Sequence, residues 1–269
     1  MKYFCLVFSG FLFGCGKSEP VSDEVNLPQS SKKETSVLVR KKDPEKIQLV
    51  MKTLEVSGQV NTIRGWVEAG AEQVNAEDRE HFIKQADANE LIKRIAEKFA
   101  GQLSKDEWEE ILAWEETEER RIFREKGAEL KDKAQKIGTN YTLSIVLEKE
   151  YEVPILGDDP NDPIRVALKL VESLGLGKKG KEAWSQTMLK FGHGDSDEYK
   201  KWYAAIKVEE LNLLLAKEVV SIYDTNVIKK AVAFHTSPIG KKYTPMKSKM
   251  GQESQVIAAN YFREIVRSN

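Results

Sequence analysis

Cysteine is almost absent from this chain: of 269 residues only Cys5 and Cys15 carry a thiol, both within the first fifteen positions. The body beyond them can form no internal disulfide, so its stability rests on packing even in an oxidising compartment. Charge of either sign in excess is also lacking, since 42 basic residues face 43 acidic ones. That balance gives no indication of a nucleic-acid partner or a polybasic membrane surface. A membrane-length apolar run is missing as well: the apolar stretch near the start stops at Cys15, short of the roughly 20 residues that a span requires. What remains, 41% hydrophobic and 32% charged residues, is enough for one sizeable core or two modest ones.

The start reads Met1, Lys2, then YFCLVFSGFLFG up to Cys15. A positive residue, a short apolar stretch and small residues near its end have the layout of an export signal. Leu12, Phe13, Gly14 and Cys15 resemble the bacterial lipobox, in which cleavage precedes a cysteine that receives acyl chains. The resemblance implies a signal peptide over 1–14 and lipidation at Cys15, hence a lipid-anchored protein of the bacterial cell envelope. Gly16 in place of aspartate implies the outer rather than the inner membrane. Residues 15–42, rich in Ser, Lys, Glu and Pro, read as a flexible tether. At 5–6 Å × √n such a tether spans about 30 Å.

Sliding the chain against itself by 120 positions brings 99–148 onto 219–268 without a gap. Ala113 then meets Ala233, Trp114 meets Phe234, Phe123 meets Tyr243, and Asn140-Tyr141 meets Asn260-Tyr261. Agreement of large apolar residues over so long a run points to an internal duplication. In each copy the apolar residues keep helical spacing, as in Leu91, Ile95, Phe99, Leu103 and the matching Leu211, Leu215, Val219, Tyr223. Helix starts recur too: Asp43-Pro44 and Asp162-Pro163, Ser104 with Glu107 and Asp224, Thr117 and Ser237-Pro238. The expected fold is all-α, with two tandem related helical bundles over 43–147 and 163–269, joined by a linker over 148–162.

The stretch AVAFHTSPIGKKYTPMKSKM at 231–250 resembles the bacterial domain-of-unknown-function 2059 family, through Phe234, Ser237, Pro238, Gly240, Lys241 and Met246. The first copy shares it only weakly. The resemblance implies a small all-helical domain of exported bacterial proteins and no particular chemistry.

Candidate chemical sites are weak. Gly175 to Lys181 follows the start of a phosphate-binding P-loop, but Glu182 stands where a Ser or Thr should ligate Mg²⁺, and the segment follows a helix. A glycine-rich turn at a helix end explains it better. His193 with Asp195, Asp197 and Glu198 reads as an exposed turn and helix start rather than a metal site, and GDDPND at 157–162 lacks EF-hand spacing. His235, Thr236 and Ser237 read as a helix boundary, not a catalytic triad. Trp66 and Trp184 read as core residues. No catalytic, cofactor or metal residue is assigned, and the chain is expected not to be an enzyme.

One pattern is specific. Residues 43–150 hold 17 basic and 24 acidic residues, while 163–269 hold 18 and 11, for formal charges of −7 and +7. Either the copies attract each other, or the lysines of the second copy (Lys229, Lys230, Lys241, Lys242, Lys247, Lys249) meet an anionic envelope protein or lipid. The favoured function is an envelope-tethered binding or scaffolding module. The alternatives are a carrier or sensor of an apolar ligand held between helices and, ranked third, a cell-wall or lipid hydrolase.

Overall fold

The computed structural model describes residues 43–194 and 196–268. The leader, Cys15, the tether and Asp195 lie outside the described residues, so the expectations attached to them stay with the sequence. Asp43 accepts hydrogen bonds from the N–H groups of Glu45 and Lys46, and Pro44 fills the first helical position, so α1 (Pro44–Val56) begins at the Asp-Pro signal. It is followed by α2 (Gln59–Gln73), α3 (Ala76–Gln85), α4 (Ala88–Phe99), α5 (Lys105–Glu115), α6 (Glu118–Glu125) and α7 (Gly127–Val146). Ser104 and Glu107 form the reciprocal capping box at the start of α5. Thr117 caps α6 by accepting from the Arg120 N–H.

Asp162 and Pro163 repeat the first device at α8 (Pro163–Ser173). Then come α9 (Leu176–Lys190), α10 (Asp197–Ala205), α11 (Val208–Ile222), α12 (Thr225–Thr236) and α13 (Pro238–Arg267). Ser237 caps α13 through the Gly240 N–H, whereas Asp224 occupies the cap position of α12 without a side-chain bond. No strand occurs among the described residues, and the protein is all-α. Helix starts in the second series follow those of the first at offsets of 117 to 121 residues, with α13 standing where α6 and α7 stand. The α6–α7 break at Lys126 falls next to the position matched by Pro245, which α13 carries inside a continuous helix.

Inside each half the packing repeats. α1 lies on α4 and α5, and α8 lies on α11 and α12. Leu91, Ile95 and Phe99 are fully buried, and Leu211, Leu215, Val219 and Tyr223 are buried with them, so these stripes are packing faces. The final helices, however, cross over. α7 packs on α10 and α11 of the second half, while α13 packs on α3, α4 and α5 of the first. Side-by-side bundles would each cover their own stripe; here each half's last helix helps to cover the other's. One apolar core therefore runs from Ile47 on α1 to Ile265 on α13. A smaller cluster (Tyr141, Trp184, Met188, Ile206, Leu211, Leu214) forms where α7 meets α9, α10 and α11.

A pair of tyrosines fixes the crossover at matched positions. The Tyr141 hydroxyl on α7 accepts from the Lys207 N–H at 3.2 Å, just before α11. The Tyr261 hydroxyl on α13 accepts from the Asp87 N–H at 2.9 Å, just before α4. Each tyrosine thus satisfies a backbone donor at a helix start in the opposite half. Tyr141→Phe and Tyr261→Phe should each lower stability by about 1–2 kcal/mol in urea melts, because a part-buried N–H loses its acceptor. The two losses should add in the double variant, since the tyrosines share no partner.

Candidate functional site

The most unusual chemistry lies where the halves meet at matched residues. Trp114, near the end of α5, stacks on Phe234, near the end of α12, with ring centroids 4.7 Å apart and planes 11° apart. The next residues, Glu115 and His235, are matched in turn. Glu115 is 0% exposed, a position that a carboxylate tolerates only when it is paired and hydrogen-bonded. The turn at Glu116 and Thr117 folds α6 back, so Arg120 and Arg124, one helical turn apart, both reach Glu115. Arg120 donates from Nε at 2.9 Å and from Nη2 at 3.3 Å. Arg124 Nη1 donates to the Glu115 carbonyl at 2.8 Å and to its carboxylate at 3.1 Å. From α13, Tyr243 and Lys247, also one turn apart, donate at 3.1 Å and 2.8 Å.

The electrostatics follow from this geometry. Burial pushes the Glu115 carboxyl up, but Lys247 and Arg120 overcome it and hold the group down at about 2. Burial, then Arg120, pulls the Lys247 ammonium down to about 8, so it stays charged at neutral pH. Burial raises the Tyr243 phenol, which stays neutral. Burial, reinforced by Arg120 and Lys247, lowers His235 to about 3, so its imidazole is neutral as well. His235 Nδ1 pairs with the Thr244 hydroxyl at 3.0 Å, and its ring stands edge-on to Trp114.

A second feature is an open groove of about 770 Å³ on the first half. Leu49, Met51, Val60 and Ile92 give it an apolar floor, and Glu45, Lys52, Glu55, Arg64 and Lys105 a charged rim. Two rim cations are already engaged, Lys105 with Glu45 and Lys52 with Glu116, both at 2.7 Å.

The six lysines singled out in the sequence do not form one surface. Lys229, Lys230 and Lys241 are exposed and form no ion pair among the described residues, whereas Lys249 pairs with Glu253 on its own helix. Lys242 reaches across to Glu107 on α5, and Lys247 turns inward onto Glu115. Further ion pairs between the halves are Arg94–Glu264, Lys133–Glu218 and Lys201–Glu148. Most of these are solvent-exposed and contribute little, so the Glu115 cluster dominates the electrostatics between the halves.

The remaining candidates resolve into local structure. Gly175 has a left-handed φ of +63° in the turn before α9, and Gly177 donates to Asn212 Oδ1 at 3.0 Å. A Cβ at Gly177 would lie 2.3 Å from that oxygen, so glycine serves close packing there. In the 231–250 motif, a Cβ at Gly240 would come within 1.9 Å of the Phe234 carbonyl oxygen. Together with the Ser237 cap and Pro238 in the first helical position, this makes the motif a tight helix junction. His193 lies exposed in a turn, and Ser196 caps α10 by accepting from Tyr199 N–H. Asp159 and Asp162 accept backbone N–H groups of their own turn. Thr236 bonds back to Val232, and Ser237 is the α13 cap, so neither faces His235 as a nucleophile would. Trp184 is buried and stacked on Tyr199, and Trp66 packs partly buried against the main core. Among the described residues no group of three His, Cys, Asp or Glu side chains is placed to hold a metal ion. No described helix is long and apolar enough to cross a membrane.

Sequence reasoning missed Glu115, one of six glutamates between 109 and 119. The usable signal was Arg120 and Arg124, spaced by four on the short helix that follows it. Compared with protein-family models, with curated proteins and with solved structures, the chain finds no match in any of the three.

Proposed function

We propose that the chain is an envelope lipoprotein held by acyl chains on Cys15, and that its helical body is a binding module for a protein partner. The observation that carries the reading is the groove between α1, α2 and α4, where Leu49 and Met51 stay half-buried above the buried Val60 and Ile92, between charged walls. An apolar floor with a rim of both signs suits an amphipathic helix of another envelope protein, its apolar face down and its charges toward Arg64 and Glu55. The open shape favours a protein surface over a wrapped apolar ligand, which would need enclosure. A tether from Cys15 to Lys42 would give the groove reach beyond the lipid headgroups.

A photo-crosslinking residue placed at Gln48, which lines the groove, tests this in the native host. The expected result is a discrete adduct whose crosslinked peptide has apolar residues at helical spacing, lost when Met51→Glu is added and absent when the probe sits at Lys200 on α10. Identical adducts from both positions would contradict the reading. Cys15→Ser should move the protein from the membrane fraction to the soluble one; retention in the membrane would contradict the lipid anchor.

A further inference from the structure

The Glu115 cluster is unbalanced, and the imbalance is structured. Arg120, Arg124 and Lys247 bring three positive charges to a single carboxylate, leaving an excess of two. The carboxylate has no capacity left. Its two oxygens already accept from Arg120 Nε, Arg120 Nη2, Arg124 Nη1, Lys247 Nζ and the Tyr243 hydroxyl. A carboxylate offers about four lone-pair sites, so it cannot serve further donors. Yet Arg120 Nη1 and Arg124 Nε and Nη2 have no acceptor among the described residues, and beyond Glu115 the Lys247 ammonium meets only the face of the Tyr243 ring, 5.3 Å from its centroid. These side chains are 14%, 24% and 29% exposed, which is open enough for a ligand and closed enough to strengthen its attraction.

Among the described residues no second acidic side chain pairs with any of the three. Two arginines with unused N–H pairs match the tetrahedral oxygens of a phosphate group, which carries about −1.5 to −2 charge near neutral pH.

We propose that Arg120, Arg124 and Lys247 form a binding site for a phosphate group at the junction of the two halves. Glu115 is then a positioning residue: it gathers the cations while their unused N–H groups take the ligand. The site is separate from the groove, and neither proposal depends on the other.

The test uses the full chain carrying Cys15→Ser, so that no acyl anchor contributes. Sodium phosphate should give a saturable rise in Tm over sodium chloride at matched ionic strength, with broadening of the ³¹P resonance. Arg124→Gln should weaken binding by about tenfold or more, since it removes charge-assisted hydrogen bonds. Should that variant fail to fold, Arg124→Lys, which keeps a positive charge but loses the fork of N–H groups, keeps the test open and should weaken binding about threefold. Lys229→Gln, at an exposed lysine outside the cluster, should bind as the parent does. A second arm uses vesicles of phosphatidic acid against vesicles of phosphatidylglycerol at equal surface charge. A preference for phosphatidic acid that Arg124→Lys reduces assigns a lipid phosphate; phosphate binding without that preference assigns a soluble one. Phosphate that does no more than chloride, together with vesicles that show no preference, overturns the proposal.

Discussion

Replacing Glu115 by glutamine should lower the unfolding free energy by about 3–5 kcal/mol, the range for removing one partner of a buried ion pair. The loss is large because the substitution leaves Arg120, Arg124 and Lys247 facing one another without the charge that gathers them. The exposed pair Lys242–Glu107 supplies the contrast: Glu107→Gln should cost no more than about 1 kcal/mol beyond the loss of its capping role. Equal losses at 115 and 107 in denaturant melts would show that the cluster has no special weight.

Acid should destabilise the body in two stages with different causes. His235 falls from an ordinary value of 6.5 to about 3 in the folded state, so the unfolded chain takes up a proton first. The contribution of His235 is therefore complete above pH 6.5 and declines toward pH 3 by about 1.4 kcal/mol per unit. Glu115 falls from 4.5 to about 2, so its contribution is complete above pH 4.5 and is lost as pH drops toward 2, about 3 kcal/mol in all. Together these losses rival the 5–15 kcal/mol by which a typical domain is stable. His235→Phe should flatten the decline between pH 6.5 and 4.5 and leave the lower stage in place. Parallel pH curves for the parent and the variant would remove His235 from the account.

The helices were legible in the sequence because local rules set them. Asp-Pro, Ser104 with Glu107, and Ser237-Pro238 act within one turn, and each marks a helix start in the structure. The apolar stripes were legible for the same reason. The crossover of α7 and α13 was not. A stripe such as Leu91, Ile95 and Phe99 specifies that something must cover it, and a helix from either copy carries the same apolar face. The choice is made by long-range contacts, among them Tyr141 to Lys207 and Tyr261 to Asp87, which no window of sequence contains. The charge reversal between the copies was legible as a sum, but only the structure separates Lys247, turned inward onto Glu115, from Lys229 and Lys230 on the surface. The groove combines residues from α1, α2 and α4 with Lys105, and it has no local signature at all.

The two halves form one body through exchanged final helices. Native-state hydrogen exchange of the whole chain, read by mass spectrometry with increasing denaturant, tests this most directly. Amides of α4 and α13, and of α7 and α11, should open together in one cooperative step with a single free energy. Two separate steps, one for 43–147 and another at clearly different denaturant for 163–268, would contradict it.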